Sequence, residues 1–252
     1  MSAKTGKPST SALMMLLIRR ELGQYFGTWI GYILMAALLL ITGLLYNVFA
    51  VGSTPQFSAD VLSEFFFVAS GCAVTIGMLF AMRLIAEERQ NGTLPLLTTS
   101  SLSEGQIVFA KYISAMVMIL VYLCLTLYMP LLVVYNGAVS IGHVLAGYVG
   151  LFCIGSAGVA IGMFGSGLVR SQLVAAIIST VIIVVMLVLW MAARVVEGAL
   201  GDVIGNLSLH DKHFRPFMDG TVTLPNLIYY ASVTLVFLVA SRSLLEARRW
   251  RM

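Results

Sequence analysis

The sequence predicts an all-α, polytopic membrane protein: six transmembrane helices preceded by a helix lying in the membrane interface. Three observations carry that prediction. The 252 residues are 60% hydrophobic and only 10% charged, with a mean hydropathy of +0.97, against about 25% charged residues in an ordinary soluble domain. Six stretches are apolar for roughly the 20 residues that a helix needs to cross a bilayer core. The basic residues fall in alternate loops. Too little charge is present to clothe a soluble globule, which excludes a soluble enzyme, a disordered tail and a nucleic-acid-binding domain. Nucleic acid is therefore no partner, despite a net charge of +4.

The expected elements, within a single transmembrane domain over 1–252, run as follows. An interfacial helix over 12–28 mixes apolar residues with Arg19, Arg20 and Gln24, as suits a helix in the headgroup layer. Spans follow at 29–50, 65–85, 112–135, 143–165, 173–191 and 224–241, the third and fourth separated by the turn signal Tyr135-Asn136-Gly137. A polar loop over 86–111 joins spans two and three, and 194–223 is the one sizeable segment on the opposite side. The stretch Ala12–Ile18 runs straight into Arg19, Arg20 and Glu21 with no small-residue cleavage pattern, so it does not read as a cleaved signal peptide.

Sorting charges by side orients the bundle. Lys4, Lys7, Arg19, Arg20, Arg83, Arg89, Lys111, Arg170, Arg242, Arg248, Arg249 and Arg251 share one face; only Arg194, Lys212 and Arg215 lie on the other. The positive-inside rule then puts both termini in the cytoplasm. Arg19, Arg20, Arg248, Arg249 and Trp250 read as membrane anchors, tryptophan at headgroup depth and arginines toward anionic lipid.

What the spans lack is equally informative. Their interiors contain no Asp, Glu, Lys or Arg, whereas ion-coupled transporters usually keep such a group as a relay despite its cost in the bilayer. Energy is expected from outside the membrane. Paired Asp, His-Glu-x-x-His and a Gly two residues before a Ser are all missing from the spans, so intramembrane hydrolysis is not expected. Cys72, Cys124 and Cys153 lie in apolar runs and read as small hydrophobes. Gly23, Gly27 and Gly31, and again Gly158 and Gly162, form small-xxx-small steps, suited to packing within the subunit or against a second one.

The loop between spans two and three opens with Glu87, Glu88 and Arg89, turns at Asn91-Gly92 and continues with Leu94, Leu96 and Leu97. A short helix exposing those leucines could be gripped by a cytoplasmic partner, or could lie on the membrane and cap the bundle. The pattern Glu-Glu-Arg-x-x-Gly-Thr-Leu-x-x-Leu-x-Thr, then Leu102-Ser103 and Ile107-Val108-x-x-Lys111, resembles the coupling region of the ABC type-2 permease family. Arg19-Arg20-Glu21-Leu22 with Tyr25-Phe26 and Tyr32 is similar to that family's amphipathic first helix. Ser208, His213-Phe214, Phe217, Gly220, Tyr229-Tyr230, Leu245 and Arg248-Arg249-Trp250 resemble the end of its gliding-motility (Gld) type. The chain departs from the pattern at Ser101, where many relatives carry Pro, and at Ala110, where they carry Gly; Pro95 is expected to bend or shorten the coupling helix.

The resemblance implies an ABC type-2 permease fold and the membrane subunit of an ATP-driven exporter, with Glu87, Glu88, Arg89, Gly92, Thr93, Leu94, Leu96, Leu97 and Thr98 as the ATPase-coupling residues. It implies partner ABC ATPase subunits, which would bind the ATP and Mg, and no cofactor in this chain. It also implies a second permease subunit, the same or paralogous, contact with membrane lipid, an outer-domain partner in some assemblies, and a bacterial cytoplasmic membrane. The other reading is a scaffold or mechanical component of a motility or envelope-assembly machine that moves no solute. Leu102-Ser103-Glu104-Gly105-Gln106 imitates the ABC ATPase signature, but no Gly-x-x-x-x-Gly-Lys-[Ser/Thr] loop accompanies it, so the chain is not expected to be an enzyme. His210-Asp211-Lys212-His213 is a poor metal cage and reads as structural. Thr42, Thr75, Thr126, Tyr122 and Tyr128 are scattered polar groups in the spans; an apolar path favours lipophilic or amphipathic cargo.

Overall fold

A glycine-rich helix packs face to face with a second buried helix at the centre, and more uniformly aliphatic helices surround the pair. The computed structural model describes residues 9–51, 57–98, 101–137, 139–196 and 198–249. These residues form twelve α-helices and no strand: α1 (Thr10–Gly27), α2 (Trp29–Leu45, prolonged by a π-helical turn Tyr46–Val51), α3 (Ser58–Ala81), α4 (Arg83–Gln90), α5 (Leu94–Thr98), α6 (Glu104–Thr126), α7 (Tyr128–Asn136), α8 (Ile141–Leu168), α9 (Gln172–Val195), α10 (Ala199–Leu207), α11 (Arg215–Met218) and α12 (Leu224–Arg249).

Six helical runs among the described residues are long and apolar enough to cross a membrane: Trp29–Phe49, Ser58–Gln90, Glu104–Tyr135, Ile141–Leu168, Gln172–Val195 and Leu224–Ala247. Most extend past the expected limits, the second from Ser58 rather than 65. Hydropathy marks only the hydrocarbon-thick part of a helix, while backbone hydrogen bonding carries the helix on into the interface.

The central pair is α3 and α8. Lipid tails are as apolar as leucine, so helices in a membrane associate through close backbone approach rather than through the hydrophobic effect. Added Cβ atoms at Gly158 and Gly162 would sit 2.7 Å from the Val74 carbonyl oxygen and 2.9 Å from Met78 Cα. Around this pair, α2, α9 and α12 leave most of their Val, Leu and Ile side chains facing outward.

Breaks occur where the sequence requires them. Pro130 lacks the N–H that would bond one turn back, and the third span breaks at Leu127 into α6 and α7. The second span breaks at Met82. Ser166 of α8 repairs that break, its Oγ accepting from the backbone N–H groups of Ile85 (3.0 Å) and Ala86 (2.8 Å), two of the donors that a helix start leaves without partners.

The segment 199–223 closes the end of the bundle away from α1, here termed the cap end. Phe214 and Phe217 are fully buried there, and Gly150 of α8 leaves room for the Phe217 ring. Tyr230 donates to the Leu209 carbonyl (2.7 Å) and the Leu209 amide to Met186 O (3.0 Å).

Candidate functional site

At the opposite, basic end, α1, α4, α5 and the start of α6 meet. Ser9 caps α1, accepting from the Ala12 amide at 3.3 Å. The buried stripe of this helix is Leu17, Glu21 and Tyr25, four residues apart and therefore on one face. A carboxylate thus sits in the middle of the packed face. Tyr25 donates to the Phe80 carbonyl (2.8 Å) beside the helix break; burial, reinforced by Glu21, holds its phenol well above the usual value, so it remains a neutral donor. Thr28 turns the chain in an extended conformation into α2, and Gly31 fits only because a Cβ there would lie 2.1 Å from the Tyr25 carbonyl oxygen.

Glu21 meets Lys111, which is 2% exposed, with Nζ to Oε1 at 2.5 Å. Lys111 also reaches Glu88 at 3.3 Å. Glu88 in turn accepts from Arg20 and from the Thr93 hydroxyl. Two carboxylates and two cations therefore form one closed, charge-balanced cluster joining α1, α4 and α6. Arg83 pairs with Glu87 at 2.8 Å, and its guanidinium lies 5.1 Å from the Tyr25 ring centroid. Arg89 donates to the Gly167 and Val169 carbonyls at the end of α8 (3.1 and 2.8 Å), satisfying acceptors that a helix terminus leaves open.

The loop residues expected to face a partner turn largely inward. Gly92 has φ +69°, and the Thr93 amide bonds to the Glu88 carbonyl at 2.9 Å, the six-to-one closure of a helix C-terminus in which glycine takes the left-handed position. Leu94 is only 6% exposed, and Leu97 is half-buried against the cluster of Leu17, Leu102, Ile107 and Ala110. The expected exposed leucine patch is thereby corrected at these two positions: the five-residue helix that begins directly after the turn sets Leu97 against residues of α1 and α6. Pro95 sits in the first turn of α5, where its missing N–H costs nothing, and the helix is short, as expected. The side chains of Leu96 and Thr98 lie outside the described residues. Asn91, Gly92, Pro95, Ser101 and Ser103 form the exposed rim.

Other expected residues separate. Arg19 is exposed, but Arg20 is engaged by Glu88 rather than held toward lipid. The side chains of Arg248 and Arg249, and all of Trp250, lie outside the described residues. Gly158 and Gly162 pack on α3, whereas added Cβ atoms at Gly23 and Gly27 would meet nothing within 4 Å. His210 contacts Ser70 Oγ (2.9 Å), while His213 stacks on Tyr229 with ring centroids 3.7 Å apart and meets Asn226 at 3.0 Å. The two imidazoles thus serve different neighbours. Among the span polar groups, Thr42 and Tyr122 pair at 2.8 Å in the packed core, and Ser103 proves to be the N-cap of α6 in a capping box with Gln106.

Beside Arg20, expected as an anchor, three further residues outside the expected coupling set complete this end: Glu21, Lys111 and Ser166. The signal for Glu21 was present, as a carboxylate four residues from both Leu17 and Tyr25. A family model described as ABC-2 family transporter protein matches residues 53–209, more than half of the chain, and that stretch contains α4, α5 and Lys111. The chain belongs to the ABC-2 transporter family. It is a multi-pass membrane protein and a permease component of an ABC transporter. No curated protein matches it.

Proposed function

We propose that this ABC-2 permease works as the membrane-spanning half of an ATP-driven exporter, with ATP and Mg bound by separate ATPase subunits that dock on the basic end. The observation that carries this reading is the cluster of buried Glu21, Lys111 and Glu88, joined from the surface by Arg20. Burying ions costs several kcal/mol each, and such clusters often add nothing to stability over well-packed apolar residues. Retaining three buried charges where three helices converge makes sense if α1, α4–α5 and α6 must move as one body under an external push. An ATPase pressing on the rim at Asn91, Pro95 and Ser101 would then displace α3 through α4 and α6 directly. ATP supplies the differential binding that drives a two-state change.

In this reading the basic end and both termini are cytoplasmic, the membrane is the bacterial inner membrane, and a second permease subunit completes the path. The C-terminal motifs favour the Gld type within the family, and the aliphatic outer helices favour lipophilic or amphipathic cargo. Co-expression with the ATPase of the same operon, followed by purification and reconstitution, tests the proposal. Co-purification and ATP-dependent movement of a lipophilic reporter are expected, with Pro95→Asp or Ser101→Glu weakening capture of the ATPase. An intact permease that captures no ATPase, or captures it and moves nothing, overturns the exporter and leaves the scaffold reading.

A further inference from the structure

At the cap end, α9 and α10 enclose a cleft of about 350 Å³ lined by Trp190, Arg194, Asp202, Asp211 and Lys212. Three faces of α10 explain how it is built. Gly201 and Gly205 seat the helix closely on the end of α9, where added Cβ atoms would lie 3.2 Å from the Ala193 carbonyl oxygen and 3.5 Å from Ala193 Cβ. Leu200, Val203 and Leu207, at helical spacing, are 69%, 57% and 52% exposed. Asp202 lies on the third face and lines the cleft.

The charges in the cleft are open to a ligand. Arg194 lays its guanidinium over the Trp190 ring, 4.4 Å from the centroid, which fixes the plane and leaves its N–H edges available, the arrangement that suits phosphate oxygens. Lys212 is held by Asn206 Oδ1 at 2.5 Å and keeps two further N–H donors. Among the described residues, no ion pair joins either cation to Asp202 or Asp211. Among the described residues, two cations and two carboxylates thus line one cleft without forming an ion pair with each other.

The surroundings select the ligand. Val188, Met191 and Val195 of α9, one of the six membrane-spanning runs, are exposed beside Leu200, Val203 and Leu207 of α10, an apolar collar that suits acyl chains. A tryptophan and an arginine at the end of a span are typical of headgroup depth. A soluble polar ligand would leave the apolar collar wet; a protein partner would need a broader apolar patch than these short faces provide. The geometry points to a phospholipid head-group site: the cleft takes a zwitterionic lipid with a primary amine, phosphate toward Arg194 and Lys212, ammonium toward Asp202 and Asp211, and tails along the apolar faces of α9 and α10.

Native mass spectrometry of the purified full-length protein with matched-chain phosphatidylethanolamine, phosphatidylglycerol and phosphatidylcholine tests the site. Phosphatidylethanolamine should be retained over the other two. The double variant D202N/D211N should lose that preference while keeping phosphatidylglycerol. Arg194→Gln should weaken both phosphatidylethanolamine and phosphatidylglycerol by about tenfold, equivalent to about 1.4 kcal/mol. All these residues line an open cleft, so unchanged thermal melting serves as the folding control. Equal retention of the three lipids, or a wild-type preference in D202N/D211N, overturns the proposal. So does glycerophosphoethanolamine binding as tightly as the intact lipid, which would mark a soluble phosphoester site, or loss of lipid on formation of a dimer through α10. No ATPase is required, so the outcome is independent of the exporter reading.

Discussion

The two ends of the bundle use charged side chains in opposite ways. At the basic end Glu21, Glu88 and Lys111 are almost fully buried, each carboxylate contacts Lys111, and Arg20 reaches in from the surface. At the cap end the buried groups are aromatic, Phe214, Phe217 and Tyr230, and the charges of Arg194, Asp202, Asp211 and Lys212 stay on an open cleft. The cap is held by ring packing and carbonyl hydrogen bonds, which tolerate loss of one partner locally. The basic end is held by a closed set of ions, in which removing one leaves the others uncompensated. Local and shared failure are therefore the expected signatures of the two ends.

The largest contrast should come from Lys111. Lys111→Ala leaves Glu21 buried without its closest cation, and breaking a buried pair in this way costs about 3–5 kcal/mol. A strongly lowered melting temperature in detergent is expected. Removing the carboxylate as well, in E21A/K111A, should recover much of that loss, because Glu88 keeps Arg20. A double variant whose loss is the sum of the singles would show that the cluster does not act as a unit.

The matching change at the cap, Phe217→Ala, should cost about 3 kcal/mol by leaving a cavity. Phe217 and Lys111 lie at opposite ends with no shared neighbour, so their effects should add. Non-additive melting of F217A/K111A would mean that the two ends are coupled through α3 and α8.

Acid separates the ends further. Burial holds the His210 imidazole well below its usual value of 6.5, to about 4, with Asp211 opposing the shift and Arg215 adding to it. The folded cap therefore refuses a proton that the unfolded chain accepts. Its contribution is complete above about pH 6.5 and declines as pH falls toward about 4. Melting temperatures of wild type and His210→Gln, compared between pH 7 and pH 4.5, should differ in slope, wild type falling more steeply. Parallel curves would mean that His210 titrates alike in the folded and the unfolded chain.

What could be read from the sequence follows from how local each feature is. Six spans were legible because each needs only its own run of apolar residues, and the Asn91-Gly92 turn because glycine carries its own conformational signature. The burial of Leu94 is not legible, because a five-residue helix has no periodicity to show which side faces in. The pairing of Lys111 with Glu21 spans 90 positions, and the side of the membrane on which a charge lies does not name its partner. Arg20 was assigned to lipid for the same reason: its partner Glu88 lies across a fold that sequence spacing cannot measure.

The smallest expected effect concerns Ser103, where sequence and structure disagree about meaning rather than position. In the sequence it is the serine of Leu-Ser-Glu-Gly-Gln, an imitation of a nucleotide-binding signature. In the fold its hydroxyl accepts from the Gln106 amide at 3.4 Å, and the Gln106 side chain accepts from the Ser103 amide at 3.0 Å. If capping is its whole role, Ser103→Ala costs about 1 kcal/mol and Ser103→Asp, which caps equally well, costs almost nothing. Both variants should bind no nucleotide, like the wild type. The cap starts the helix that carries Lys111, so S103A should also share part of its loss with K111A instead of adding to it fully. Full additivity would show that the cap and the ion cluster hold the start of α6 independently of each other.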